Sequence, residues 1–250
     1  MTNGLVIVTG GARGIGAATC RKLASAGYAV AVNYASDAAA AHGVVATILE
    51  AGGRAQAFGA DVADSRAVEK LFDVAVDALG ALAGLVNNAG IIGAATRVDS
   101  LDPAELARLF AVNVVGAMLC AKEAVRRLST LHGGKGGAIV NISSVAARLG
   151  GLPGLVPYAA TKGAIESFTR GLANEVAREG VRVNAVAPGM IASDMTAPVM
   201  ASPATLERVL QGIPMGKMGA PENIAEAVAY LMSPAAAYTT GSVLTVSGGR

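Results

Sequence analysis

The chain has 250 residues, 53% of them apolar and 15% charged, with a mean hydropathy of +0.50, which excludes a disordered polypeptide. Twenty Lys and Arg against eighteen Asp and Glu give a net charge of +2 with no basic block, so neither nucleic acid nor a lipid surface is expected as a partner. No run approaches 18 consecutive apolar residues, Leu5 leads directly into the Thr9-Gly10-Gly11 turn without a signal-peptide pattern, and Cys20 and Cys120 form no disulfide framework or metal spacing. A cytoplasmic protein of one domain, residues 1–250, with small-molecule partners, no membrane and no metal is therefore expected.

The first apolar run, residues 5–9, has strand length and ends in Thr9-Gly10-Gly11-Ala12-Arg13-Gly14-Ile15-Gly16. Glycines there allow a tight turn and close backbone approach, and the N-terminus of the following helix offers free N–H groups to a pyrophosphate. A second strand at 29–34 is followed by a helix with Ala41, Val44, Val45, Ile48 and Leu49 on one face. A third at 54–58 leads through Asp61-Val62 to a helix carrying Val68, Leu71, Phe72, Ala75 and Leu79. The fourth, 82–87, runs into Asn87-Asn88-Ala89-Gly90.

Asp102-Pro103-x-Glu105 then supplies an N-cap, a proline at the first helical position and a carboxylate at N3, which predicts one long helix to about residue 131. Its apolar stripe, Leu106, Leu109, Phe110, Asn113, Ala117, Cys120 and Ala124, contains an amide that must find partners. Strands follow at 137–142, 181–186 and 242–246. Strands and helices alternate throughout, and most of the strands are continuous apolar runs, as strands buried on both faces are. The economical architecture is α/β: a doubly wound, seven-stranded parallel sheet of the Rossmann type.

Ser143 and Ser144 close the fifth strand, and Tyr158-x-x-x-Lys162 opens the next helix with a phenol and an ammonium one turn apart. Five Tyr and six Lys give about 0.12 such pairs by chance, so the pair gains its meaning from its place at the carboxyl edge of the sheet, where open α/β folds bind ligands. After the sixth strand come Pro188-Gly189-Met190-Ile191 and then a segment of about 190–218 that holds five of the eight methionines, Met190, Met195, Met200, Met215 and Met218. With proline breaks at 198, 203 and 214, this segment is expected to form short helical pieces of an adaptable apolar lid. His42 and His132 fall away from that edge, and Arg126, Arg127 and Lys135 read as the polar end of the long helix.

These motifs, in this order and over essentially the whole chain, resemble the short-chain dehydrogenase/reductase family. The resemblance implies Tyr158 as acid/base, Ser144 holding the substrate oxygen, Lys162 on the nicotinamide ribose and favouring the phenolate, and Asn113 holding a water in a proton relay. It also implies cofactor contacts from Gly10, Ala12, Arg13, Gly14, Ile15 and Gly16, from Asn33, Tyr34 and Ser36, from Asp61 and Val62 at the adenine, and from Asn88, Ala89 and Gly90. Pro188, Gly189 and Ile191 would complete the nicotinamide side, together with Tyr158 and Lys162. The second strand ends without an acid until Asp37, and the family places a guanidinium such as Arg13 against a 2′-phosphate, so NADP(H) is the expected cofactor.

The activity so implied is hydride transfer between the nicotinamide and a ketone or secondary alcohol, with a hydrophobic carbonyl expected as substrate. The alternatives are a 3-oxoacyl-carrier-protein reductase or sugar dehydrogenase of the same family, a lyase or epimerase on the same fold, and a non-catalytic NADP(H)-binding redox sensor. Thirteen residues separate Ser144 from Tyr158, one more than is usual in the 3-oxoacyl-carrier-protein reductases, so the 148–157 loop should have its own shape. Glu179 replaces a basic residue common in those reductases, Ser193 a Thr, and Ser247 an Asp. A homotetramer is expected, with small residues at Gly116, Ala121, Ala160, Gly163, Ala164 and Gly171 and the apolar 242–246 strand as its contact surfaces.

Overall fold

The computed structural model of the chain describes residues 3–250. Seven strands, β1 (Leu5–Val8), β2 (Ala29–Tyr34), β3 (Arg54–Gly59), β4 (Leu82–Asn87), β5 (Gly137–Ile142), β6 (Val181–Pro188) and β7 (Val243–Val246), form one sheet in the order β3-β2-β1-β4-β5-β6-β7. Every pair is parallel. Because the chain winds outward in one direction from β1 and in the other from β4, the crevice between these two strands is the switch point at which such sheets bind ligands.

Helices cover both faces. On one side α1 (Gly14–Ser25), α2 (Ala38–Glu50) and α10 (Pro221–Met232) enclose a core containing Val6, Val8, Leu23, Val30, Ile48, Ile224 and Val228. On the other, α3 (Ser65–Leu79), α4 (Pro103–Phe110), α5 (Ala117–Leu128) and α7 (Val156–Val176) enclose Leu5, Ile7, Leu71, Phe72, Leu85, Cys120, Leu128 and Val176. Alternate residues of β1 thus enter opposite cores, which is why the strand is apolar without a break. Short helices α6 (Ala146–Leu149), α8 (Ala197–Met200) and α9 (Pro203–Gln211) lie in the connections after β5 and β6.

The helix starts follow their capping residues. Asp37, Asp64 and Asp102 accept from backbone N–H groups in the first turns of α2, α3 and α4, and Pro103 opens α4 as its locked φ favours. The single long helix expected from 102 to about 131 is interrupted: between α4 and α5, residues Ala111–Gly116 form a π-helical turn, and Thr130–His132 is a separate 3-10 turn. Such a turn accommodates an extra residue within the helix and is common at functional sites. The stretch Pro103–Leu128 is long and apolar enough by length and composition to cross a membrane. In the fold it packs against β4 and α3 and buries Asn113 and the carboxylate of Glu123, as a core helix does.

The basic residues at the end of α5 serve that packing. Glu123 is 2% exposed and is held below the usual carboxylate range by Arg127, Lys122 and Arg126, which outweigh the opposing effect of its burial; Arg127 also pairs with Asp73 and lies 5.4 Å from the Phe72 ring centroid. The small residues expected on contact surfaces divide. Gly116 and Ala121 point inward, a Cβ at 116 meeting Val62 at 2.8 Å and Ala121 being buried, whereas Ala160 and Gly171 are exposed and Gly163 has open space before it.

Candidate active site

The turn after β1 is held from behind by two side chains. The buried Thr9 hydroxyl accepts 3.0 Å hydrogen bonds from the main-chain N–H groups of Asn88 and Ala89, and the Asn88 amide donates 2.9 Å bonds to the carbonyls of Thr9 and Gly10. The end of β4 is thereby locked to the glycine loop across the switch point. Glycine is required where the loop turns back: a Cβ at Gly16 would stand 2.2 Å from the Gly10 carbonyl oxygen, and Gly10 has φ +61°. Asn33, expected at the cofactor, is 1% exposed, and its amide is committed to main chain: it donates to the Phe58 and Ala60 carbonyls and accepts from Gly10 N–H at 3.3 Å. Its side chain therefore supports the loop from below.

The front of the loop suits a dinucleotide. The N-cap position of α1 is Arg13, whose side chain makes no capping bond, and no acid lies in the first turn, so the leading N–H groups have no side-chain acceptor. Gly14, at φ +49°, faces a gap in which an added Cβ would meet only Ser193 Cβ, at 3.6 Å. Ala12, Ile15, Tyr34, Asp61, Asn88, Ala89 and Gly90 are partly exposed around this cleft, and Ser36 is exposed. Asp61 accepts from Ala63 N–H through one oxygen and leaves the other 3.8 Å from Arg108. Val62 is buried beneath it. Across the cleft Gly189 packs so closely on Ser247 that a Cβ would lie 2.7 Å from its Cα, and Pro188 and Ile191 are buried at the end of β6. These features fit a nicotinamide dinucleotide laid across the carboxyl edge.

Asn113, Ser144, Tyr158 and Lys162 come together at that edge. Lys162 is 5% exposed; its ammonium donates a 2.8 Å bond to the Ile142 carbonyl and lies 5.6 Å from the Tyr158 ring centroid. Burial drives its pKa down to about 8. Burial likewise pushes the Tyr158 phenol up, opposed by its hydrogen bond with Ser144. Within the protein, desolvation is the dominant influence on the phenol.

Asn113, 2% exposed, sits within the π-helical turn. It accepts from Ile91 N–H at 2.8 Å and donates to the Ile91 carbonyl and to Thr161 Oγ1, which in turn donates to the Tyr158 carbonyl at 2.7 Å. Both amide donors are therefore used within the protein, leaving one lone pair of Oδ1. The side chain pins the loop after β4 to the Tyr158 helix, a structural link that the water-relay expectation lacks. Thr9 and Thr161 lie inside the glycine-loop and Tyr158–Lys162 motifs, but their bonding roles are legible only once the partners from β4 and the π-helical turn are in place.

A small cavity of about 30 Å³ adjoins Tyr158, lined by Ile92, Leu106, Leu109, Leu155 and Pro157 and also by Asp102 and Glu105. The 148–157 loop reaches it by docking on residues after β4, with Thr96 N–H donating to the Gly154 carbonyl at 3.0 Å. In the 190–218 segment Met195, Met200 and Met215 are exposed at 47%, 39% and 64%. A larger cleft of about 390 Å³, between α1, α2 and α10, contains none of these residues. His42 and His132 are exposed and remote from the site.

Comparison with known proteins agrees over the whole chain. A family model described as enoyl-(acyl carrier protein) reductase matches residues 10–250. The uncharacterized oxidoreductase YgfF of Escherichia coli (strain K12) is 45% identical, with 98% of this chain and 99% of the relative covered. The 3-oxoacyl-[acyl-carrier-protein] reductase of Synechocystis is 43% identical over 100% of this chain and 97% of its own length. The crystal structure of a short chain dehydrogenase from Burkholderia cenocepacia in complex with NADP superposes with a TM-score of 0.89 at 36% identity, covering 98% and 96% of the two chains.

Proposed function

The chain belongs to the short-chain dehydrogenase/reductase family and is an oxidoreductase that uses a nicotinamide cofactor on alcohol and ketone groups; from that premise we propose that it is an NADP(H)-dependent enzyme for hydrophobic ketones or the corresponding secondary alcohols. The observation that carries the reading is the convergence of Ser144, Tyr158 and Lys162 at the carboxyl edge, beside a cleft whose glycine loop and uncapped helix suit a pyrophosphate.

The bound nicotinamide supplies or accepts the hydride. Tyr158 gives its phenolic proton to the developing alkoxide in reduction and takes it back, as phenolate, in oxidation. Ser144 orients the substrate oxygen and, through its bond to the phenol, favours the ionised form. Lys162, anchored on the Ile142 carbonyl, keeps its ammonium at the ribose end of the site, and Asn113 fixes the Tyr158 helix against the loop after β4. Gly10, Gly14 and Gly16 would admit the pyrophosphate, Asp61 and Val62 would hold the adenine, and Arg13 would take the 2′-phosphate.

The substrate reading rests on the exposed methionines of the 190–218 segment, a lid able to repack around different apolar ligands, and is supported by the apolar side chains Ile92, Leu106, Leu109 and Leu155 beside Tyr158. A panel of aromatic and medium-chain ketones, with glucose and other sugars as alternatives, followed at the NADPH absorbance band, tests it. Ketones should give the higher kcat/KM; preference for glucose would overturn the reading. The resemblance to a 3-oxoacyl-[acyl-carrier-protein] reductase adds β-ketoacyl thioesters to that panel.

A further inference from the structure

Arg13 lies between two carboxylates from different elements. Its Nε is 3.8 Å from Asp37 in the turn after β2, and its Nη1 is 3.6 Å from Asp194 in the segment after β6. Asp37 is held in place by its other oxygen, which accepts from Ala40 N–H at 3.0 Å to cap α2. Asp194 is held through its neighbours, because Ser193 N–H donates to Thr196 Oγ1, which donates to the Ile191 carbonyl at 2.7 Å. The glycine loop and this segment meet directly here, Gly14 facing Ser193. The guanidinium therefore spans the mouth of the nucleotide cleft from the ribose side to the substrate side.

We propose that Asp194 is a specificity-determining residue that competes with the cofactor 2′-phosphate for Arg13, so that phosphate recognition and the start of the substrate lid are coupled. The inference rests on the NADP(H) reading above. Both pairs are longer than a hydrogen bond and exposed, so each is weak and screened by salt. A phosphate offers the guanidinium two shorter, charge-assisted bonds and prevails, but it must draw Arg13 from Asp194 and come to rest near that carboxylate. A dinucleotide lacking the phosphate leaves the pair intact. Asp194 thus opposes NADP(H) and is indifferent to NAD(H).

The test is calorimetric titration of the full chain and of Asp194→Asn with 2′,5′-ADP and with ADP, repeated with NADPH and NADH. Asp194→Asn should bind 2′,5′-ADP and NADPH about threefold more tightly while ADP and NADH change less than about 1.5-fold, and the gain should disappear in an Arg13→Ala background. If Arg13→Ala abolishes the preference for 2′,5′-ADP over ADP but Asp194→Asn changes nothing, or if the gain persists without Arg13, the role given to Asp194 is wrong and the cofactor reading stands. If Arg13→Ala leaves that preference intact, Arg13 is not the partner of the phosphate and the Asp194 proposal fails while the cofactor reading stands; if the native chain itself shows no preference for 2′,5′-ADP over ADP, the NADP(H) reading fails and the proposal falls with it.

Discussion

The Lys162 ammonium donates a 2.8 Å hydrogen bond to the main-chain carbonyl of Ile142, so the cation of the site is also the tie between the Tyr158 helix and the end of β5. Its burial, with no carboxylate paired to it among the described residues, has a measurable consequence. In the unfolded chain a lysine keeps its proton to about pH 10.4, whereas in the fold Lys162 loses it near 8. Between those values the unfolded state binds more protons, so the stability contributed by this residue rises with pH; below about 8 both states are protonated and the burial penalty is at its fullest. Urea midpoints at pH 7.5 and 10 should show the native protein gaining up to about 3 kcal/mol relative to Lys162→Met. Parallel pH dependences would mean that the ammonium is not desolvated as its surroundings indicate.

Ser144 is the influence opposing desolvation at the Tyr158 phenol. Ser144→Ala should therefore raise the phenol further, moving the ascending limb of the pH profile for alcohol oxidation upward as well as lowering kcat. An unmoved limb would separate Ser144 from the ionisation of Tyr158.

Two glycines in helices should respond in opposite ways. Gly16→Ala places a methyl 2.2 Å from the Gly10 carbonyl oxygen and 2.6 Å from Asn88 Nδ2, so it should weaken dinucleotide binding at least about tenfold, equivalent to about 1.4 kcal/mol. Gly43→Ala, in the body of α2 with nothing within 4 Å of the new methyl, should stabilise the fold by about 0.5–1 kcal/mol and leave binding unchanged. Calorimetry and thermal melts check both, and equal effects would undo the assignment of Gly16 to the loop.

The outward face of the α5 and α7 region offers Val115, Met118, Gly163 and Gly171, the edge strand β7 carries the half-exposed Leu244, and Tyr230 and Tyr238 are exposed on α10 and in the connection to β7. Two such apolar surfaces on one protomer suit a homotetramer with dihedral symmetry. Light scattering should return four protomers at micromolar concentration, and Val115→Glu should reduce the assembly to dimers or monomers. A monomeric native protein would reject the assignment.

Much of the fold is legible because strands buried on both faces leave continuous apolar runs: 29–34, 82–87 and 137–142 coincide with β2, β4 and β5. Ends set by tertiary pairing are less visible. β6 runs on to Pro188 because Pro188 still pairs with Val246, and β3 to Gly59 because Gly59 pairs with Tyr34. The π-helical turn at Asn113 cannot be read from apolar spacing, which continues through it; what marks it is the buried amide and its bonds to Ile91 and Thr161, from residues 22 and 48 positions away. Asn33 shows the same limit: its position on a strand end suggests a ligand, while its side-chain partners Gly10, Phe58 and Ala60 appear only when three strands come together. Likewise Arg13 is legible as a cation at the glycine loop, but the two carboxylates that hold it come from separate connections.

The most direct test of the account is single-turnover reduction of a hydrophobic ketone by Tyr158→Phe with NADPH in excess, alongside NADPH binding by the same variant. Removal of one hydroxyl used mainly in the transition state should lower the rate at least about a thousandfold and leave NADPH affinity within a few-fold of native. A variant that turns over within about tenfold of the native enzyme would contradict Tyr158 as the proton donor and, with it, the chemistry assigned to this site.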